Sequence, residues 1–195
     1  MLLCVAMIAA SSAFSQTFGI KAGLNSTVVG VSSDDLLLDD QDGRLAFQIG
    51  AIAMLELTDM IELRTGANYT QKGTGWKDYL DSGEDIVFAL DYLEIPIDIA
   101  FRLGDDGLAL NAGPYFGFLM NSEMKSDSES NDVEDVTEMD YGLNFGVSYL
   151  LNESILIDVR YGMGLSNLID EDDIDEAAVN GALQLSIAYM FGDRY

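Results

Sequence analysis

The fold is decided by residues 140–164, which read DYGLNFGVSYLLNESILIDVRYGMG. Every second residue from Tyr141 to Tyr149 is apolar, and the same alternation runs from Ile155 to Met163. A period of two is typical of a β-strand that has one apolar and one polar face. The short connection at 151–154 separates the two runs, so the sequence predicts two antiparallel strands joined by a tight turn.

The same alternation recurs along the rest of the chain. Each repeat covers about ten residues, the length that suits a strand crossing a membrane at a tilt of about 45°. The predicted strands are 17–26, 45–57, 61–71, 89–103, 108–120, 140–150, 155–166 and 180–191. After residue 16, no run of about eighteen apolar residues occurs, so no membrane-spanning helix is expected.

The connections between these strands alternate in length. Long connections cover 31–44, 73–87, 121–139 and 167–179, whereas short ones cover 58–60, 104–107 and 151–154. An even number of antiparallel strands can close without a free edge. We therefore predict an all-β, eight-stranded, antiparallel, up-and-down transmembrane β-barrel. Its chain ends and short turns are expected in the periplasm and its long acidic loops outside the cell.

The first fifteen residues differ from the rest. An apolar run, MLLCVAMIAA, is followed by small residues and a cleavage-like Ala13-Phe14-Ser15. We interpret residues 1–15 as a signal peptide whose basic start is truncated, and 16–195 as a single barrel domain. The predicted mature chain then lacks cysteine, and the whole chain lacks histidine. These absences remove the usual nucleophile and general base, so we expect no enzymatic activity and no bound cofactor.

The net charge is −25, from 34 acidic and 9 basic residues, which argues against a nucleic-acid partner. Of the acids, 22 lie in the four long connections. The densest group supplies a candidate site for loosely bound Ca²⁺ or Mg²⁺, formed by Asp170, Asp172, Asp173 and Asp175. The group lacks the ligand spacing and the glycine of an EF-hand, so the default interpretation is a solvated acidic loop and the cation site is the alternative.

The polar face of the predicted strands is rich in Gly and Asn and carries charges of both signs. Such a face suits the crowded interior of an eight-stranded barrel. Charges buried there must be paired, because an isolated one costs several kcal/mol. The predicted lumen network comprises Lys21, Glu62, Arg64, Glu94, Asp98, Arg102, Asp158 and Arg160. We interpret it as an ion-pair plug, and the alternative is a gated path for ions or protons.

Four segments resemble a known family. They are FGIKAGLN at 18–25, YLEIP at 92–96, AGPY at 112–115 and AYMFG at 188–192. These segments resemble the β-barrel proteins of the Bacteroidota outer membrane, which are called porin-family or PorT-like proteins. The resemblance implies an eight-stranded barrel of OmpA or OmpX type in the bacterial outer membrane. It implies no catalytic or ligand-binding residues.

Three roles remain open for such a protein. The leading hypothesis is a non-enzymatic barrel with a structural or surface-interaction role. The alternatives are a narrow channel for cations or small solutes, and an accessory of secretion or envelope assembly. The expected partners are outer-membrane lipids, lipopolysaccharide and, during biogenesis, the barrel assembly machinery. The sequence does not identify a surface partner.

Overall fold

The structure is a computed structural model that describes residues 16–31, 43–76, 86–104, 106–126, 130–133, 136–168 and 178–191. Those residues form nine strands. They are β1 (Gln16–Val31), β2 (Arg44–Glu56), β3 (Ile61–Trp76), β4 (Ile86–Arg102), β5 (Leu108–Ser126), β6 (Ser130–Asp132), β7 (Met139–Leu151), β8 (Ile155–Gly164) and β9 (Ala178–Phe191). Within these ranges, no helix is long and apolar enough to span a membrane. The predicted signal peptide lies outside the described residues.

Eight of the strands close into a barrel. Each pairs antiparallel with its neighbours in the order β1-β2-β3-β4-β5-β7-β8-β9, and β9 pairs back to β1 through registers such as Phe18↔Phe191. The remaining strand, β6, is only three residues long and pairs with β5 outside this ring. The predicted eight-stranded antiparallel barrel is therefore confirmed.

The two ends of the barrel differ in their connections. Short connections at 57–60, 103–107 and 152–154 lie at one end, which we call the turn end. Gln16 also lies there, because it pairs with Leu55 just before the first of these connections. The opposite end, which we call the loop end, carries the long connections. Several strands reach further towards the loop end than predicted, because the ladders of β4 with β3 and β5 continue to Trp76 and Ser126.

Side chains alternate between two environments along every barrel strand. On β8 the apolar Val159 is 46 % exposed, whereas its neighbour Arg160 is 4 % exposed. On β9, Ile187 is 57 % exposed beside Ser186 at 2 %. Aliphatic side chains thus cover the outer surface of the barrel and polar ones fill its lumen, which is the sidedness that the sequence predicts.

The lumen also contains apolar side chains that the sequence analysis did not anticipate. They form two clusters, which we call the turn-end layer and the loop-end layer. The turn-end layer is Ile52, Met54, Leu156, Ala188 and Met190. The loop-end layer is Val29, Leu90, Tyr92, Leu168 and Ala178, with Phe88, Leu119 and Val136 packed against it. The loop-end layer covers the polar interior on that side. The turn-end layer lies level with Arg64, because Met54 pairs with Arg64, whereas Glu56 and Glu62 pair nearer the turn.

The loop-end portion of the β3–β4 hairpin leaves the barrel wall. The ladder between β2 and β3 stops at Gln48↔Thr70, while β3 stays paired with β4 up to Trp76↔Ile86. Residues 72–75 are all buried instead of alternating. We call residues 71–76 and 86–91 the β3–β4 arm.

Hydrogen bonds from β1 fix the position of the β3–β4 arm. Asn25 Nδ2 donates to the Gln71 carbonyl at 3.2 Å, and Thr27 Oγ1 donates to the Gly73 carbonyl at 2.7 Å. Asn25 and Thr27 are lumen-facing side chains that are at most 1 % exposed. The β3–β4 arm therefore lies on the lumen side of the wall, across the loop-end mouth of the barrel.

Candidate functional site

All eight residues of the predicted network point into the lumen. Seven of them are buried, with exposures of 4 % or less: Lys21, Glu62, Arg64, Glu94, Asp98, Asp158 and Arg160. The eighth, Arg102, is half-buried near the turn end. The charges are arranged in three groups along the barrel axis.

The first group lies near the turn end. Arg64 donates from Nε to Glu62 Oε2 at 3.0 Å and from Nη1 to Ser148 Oγ at 2.6 Å, so it joins β3 to β7 across the lumen. Arg102 donates from Nε to Glu62 Oε1 at 2.6 Å and also contacts Glu56. Glu62 thus accepts from two guanidinium groups, and charge-assisted pairs of this kind are the stronger hydrogen bonds.

The second group lies in the middle of the lumen. Arg160 of β8 donates from Nη1 to Asp98 Oδ2 at 2.9 Å and from Nε to Asp158 Oδ2 at 2.6 Å. Asn111 of β5 donates to the other Asp158 oxygen at 3.2 Å. Lys21 of β1 lies close by and lines a small cavity together with Asp98 and Arg160. Four strands therefore contribute polar side chains to this level.

The third group lies below the loop-end apolar layer, and sequence analysis missed its centre. Lys72 Nζ lies 2.8 Å from Glu94 Oε2 and 3.0 Å from Asp140 Oδ2. The same ammonium lies 3.9 Å from the centroid of the Tyr115 ring, a cation–π contact. Lys72 belongs to the β3–β4 arm, so this group holds the arm to β4 and β7.

Asp140 has several further donors. It accepts from Ser166 Oγ at 2.7 Å, from Asn180 Nδ2 at 3.0 Å and from the Tyr115 hydroxyl at 3.3 Å. Burying a carboxylate is tolerated only when such partners replace its water. Asp140 therefore joins β7 to β3, β5, β9 and the segment after β8.

The alternation of faces along each strand could have identified Lys72 and Asp140 as lumen-facing residues. Lys72 has the same parity as Arg64, the lumen-facing residue of β3, and Asp140 has the same parity as Asn144 on β7. Lys72 lies one residue beyond the predicted end of the third strand at residue 71. Asp140 is the first residue of its predicted strand, where the alternation assigns it to the lumen face.

The four aspartates of the candidate cation site lie outside the described residues. Within the ranges that the structure describes, no group of three or more Asp, Glu, Cys or His side chains is arranged to hold a metal ion. The buried charges of the lumen instead pair with one another. The buried cations and carboxylates therefore neutralise one another in ion pairs within and between strands.

Comparisons with known proteins agree with this geometry. A family model described as "Outer membrane protein beta-barrel domain" matches residues 14–170. No functionally curated protein matches the chain.

Three solved structures illustrate the similarity in fold. Neisserial surface protein A has a TM-score of 0.54 at 15 % identity, with coverage of 89 % of this chain and 97 % of that one. The attachment invasion locus protein Ail of Yersinia pestis has a TM-score of 0.50 at 17 % identity, covering 91 % and 99 %. OprG of Pseudomonas aeruginosa has a TM-score of 0.51 at 14 % identity, covering 92 % and 98 %. At these identities the likeness concerns the fold alone.

Proposed function

We propose a closed, non-enzymatic surface role for this chain, which belongs to the outer membrane protein beta-barrel domain family. The protein resides in the bacterial outer membrane. We place the turn end and both chain ends in the periplasm and the loop end outside the cell, because outer-membrane barrels pair short turns with the periplasm. In this orientation the β3–β4 arm covers the extracellular mouth.

The observation that carries the proposal is the packing of the lumen. The loop-end apolar layer and the β3–β4 arm lie across the loop-end mouth, and below them three groups of ion pairs and the turn-end apolar layer fill the lumen. The interior of an eight-stranded barrel has room for little beyond its own side chains. These features favour a rigid, plugged wall over the narrow channel for cations or small solutes.

Recordings of the purified full-length protein in planar lipid bilayers test this closure. We expect no steady current steps, because packed side chains of the described residues fill the lumen, and the loop-end layer and the β3–β4 arm cover its mouth. Steady cation-selective steps that disappear on charge reversal at Arg64 or Asp98 would establish the channel instead. The matched positive control is the triple variant Arg64→Ser, Lys72→Ser and Arg160→Ser, in which small side chains replace three of the four buried lumen cations, one from each charged group.

The surface role of the proposal rests on the four acidic connections. They hold 22 of the 34 acids, so the extracellular rim would carry a strongly negative potential. Such a rim would attract divalent cations, which could link it to neighbouring lipopolysaccharide, or a basic surface partner. Calorimetric titration with Ca²⁺ tests the cation, with Asp170, Asp172, Asp173 and Asp175 changed together to Asn as the comparison variant.

The absence of enzymatic activity is part of the same proposal. The chain has no histidine, and its one cysteine, Cys4, lies in the predicted signal peptide. The buried carboxylates of the lumen are paired with cations, which suits structure better than proton transfer. We also keep the PorT-like resemblance, and with it an accessory role in secretion or envelope assembly, as a hypothesis. Co-purification of a secretion complex with the tagged barrel would support that role.

A further inference from the structure

One buried cation of the lumen lacks a direct partner. Lys21 of β1 is 4 % exposed, yet within the described ranges its ammonium forms no ion pair within 4 Å and no hydrogen bond. The other cations of the three groups, Arg64, Lys72, Arg102 and Arg160, each contact at least one carboxylate. A buried ammonium without compensation costs several kcal/mol, so the surroundings of Lys21 must contain its stabilising groups.

The charge around Lys21 is consistent with a cation at this position. Arg160 supplies one positive charge to two carboxylates, Asp98 and Asp158. That group alone carries a net charge of −1, and Lys21 lines the same cavity as Asp98 and Arg160. Lys21 therefore balances the excess negative charge at a distance greater than that of a direct ion pair.

The cavity beside Lys21 also contains two acceptors without a donor. Asp98 uses Oδ2 to bind Arg160, but its Oδ1 has no hydrogen-bond partner among the described residues. The Oδ1 of Asn68 lacks one as well. Both residues are 1 % exposed and line the cavity with Lys21. The Lys21 ammonium and two acceptor oxygens thus line one space with room for about one water molecule, together with Arg64 and Arg160, which already bind carboxylates.

We propose that this cavity is a binding site for a single water molecule that joins Lys21 to Asp98 and Asn68. The water oxygen accepts a hydrogen bond from the Lys21 ammonium. Its two O–H groups donate hydrogen bonds, one to Oδ1 of Asp98 and one to Oδ1 of Asn68. The Lys21 ammonium and both oxygens then have a hydrogen-bond partner. The water also links Lys21 to the Asp98–Arg160–Asp158 group.

A small anion satisfies these groups less well than water does. Chloride could accept from Lys21, and Arg64 and Arg160 also line the cavity, but chloride has no proton to donate to the Oδ1 atoms of Asp98 and Asn68. Phosphate and carboxylate ligands are too large for a space of this size. A ligand that both donates and accepts, as water does, therefore matches the groups of this site best.

A crystal structure of the wild-type barrel at a resolution that shows ordered water tests the proposal. We expect one peak within about 3.2 Å of Lys21 Nζ, Asp98 Oδ1 and Asn68 Oδ1. A direct contact between Lys21 Nζ and Asp98 Oδ1 with no peak between them would overturn it. Anomalous scattering at the site in a bromide-soaked crystal would also overturn it, because the ligand would then be an anion.

A matched pair of variants gives a second readout. Lys21→Met removes the charge and retains most of the volume, and we expect it to lower the urea midpoint of unfolding in lipid vesicles. Lys125→Met, on the exposed part of β5, should leave that midpoint unchanged. An equal midpoint for Lys21→Met and the wild type would show that Lys21 is not a counter-charge and would contradict the proposal. If Lys21→Met does not fold, the wild-type crystal still decides.

Discussion

Lys72 of β3 and Asp140 of β7 are joined across the lumen by an ion pair with 3.0 Å between Nζ and Oδ2. These strands are not neighbours in the barrel, so the pair connects opposite parts of the wall. Both side chains are at most 2 % exposed, and Lys72 also contacts Glu94. The pair therefore holds the β3–β4 arm in the lumen and closes the third group of charges.

Removing Lys72 should destabilise the barrel strongly. Lys72→Met leaves Glu94 and Asp140 buried without their cation, and breaking a buried pair in this way costs about 3–5 kcal/mol. Urea unfolding in lipid vesicles, followed by the heat-dependent shift of the folded band on gels, measures the change. The control is Lys125→Met, which removes the half-exposed partner of Glu123 and should have little effect. Equal stability of the two variants would argue against a structural role for Lys72.

The backbone at Gly73 should tolerate no side chain. Its φ is +119°, and a Cβ at this position would lie 2.0 Å from the carbonyl oxygen of Phe88. Gly73→Ala should therefore displace the β3–β4 arm and increase proteolysis at the loop end of the folded barrel. Gly104 is the matched control, because its φ is +78° but a Cβ there meets no atom within 4 Å.

Gly104→Ala should incur only the backbone cost of a positive φ, roughly 1–2 kcal/mol. Limited proteolysis of both variants in vesicles, with fragments identified by mass, compares them. Cleavage in the β3–β4 arm of Gly73→Ala alone is the expected pattern. Equal protection of the two variants would show that the close approach of Gly73 to Phe88 does not hold the arm in place.

A charged side chain on the outer face should lower the free energy of unfolding more the deeper it lies in the bilayer. Val159 lies in the middle of β8 and is 46 % exposed, so Val159→Arg should cost about 2–4 kcal/mol in a bilayer. Leu45, near the loop end of β2, is 74 % exposed, and Leu45→Arg should cost about 0–1 kcal/mol. Unfolding midpoints in vesicles of one lipid thickness give the comparison. A larger loss at Leu45 would mean that the membrane-embedded band is misplaced.

Much of the barrel follows from alternation alone. The parity of apolar residues in runs such as 141–149 identifies the lipid-facing side, because successive strand residues point to opposite faces. The same parity places Arg64, Asp98 and Arg160 in the lumen. Pairing within the lumen did not follow, because partners such as Arg64 and Ser148 are 84 residues apart and meet only when the barrel closes.

The apolar layers of the lumen were missed for a physical reason. The alternating pattern is interrupted or extended at Leu90, Tyr92 and Leu156. A local pattern cannot distinguish an apolar side chain that faces lipid from one that packs inside the lumen. The inward course of the β3–β4 arm was equally hidden, because it depends on Thr27 and Asn25 of β1. The sequence offers only the glycines at 73 and 75 as a hint of close packing there.

Cysteine labelling tests the central claim most directly: aliphatic side chains face lipid, and the buried lumen side chains are inaccessible to bulk solvent. The predicted mature chain has no cysteine, so Ser148→Cys, Val159→Cys and Asn131→Cys can each be labelled alone in vesicles. We predict that a water-soluble thiol reagent modifies only the exposed Asn131→Cys, whereas a lipid-soluble one also modifies Val159→Cys. Rapid modification of Ser148→Cys by the water-soluble reagent, in a barrel that still shows the folded gel band, would contradict the account.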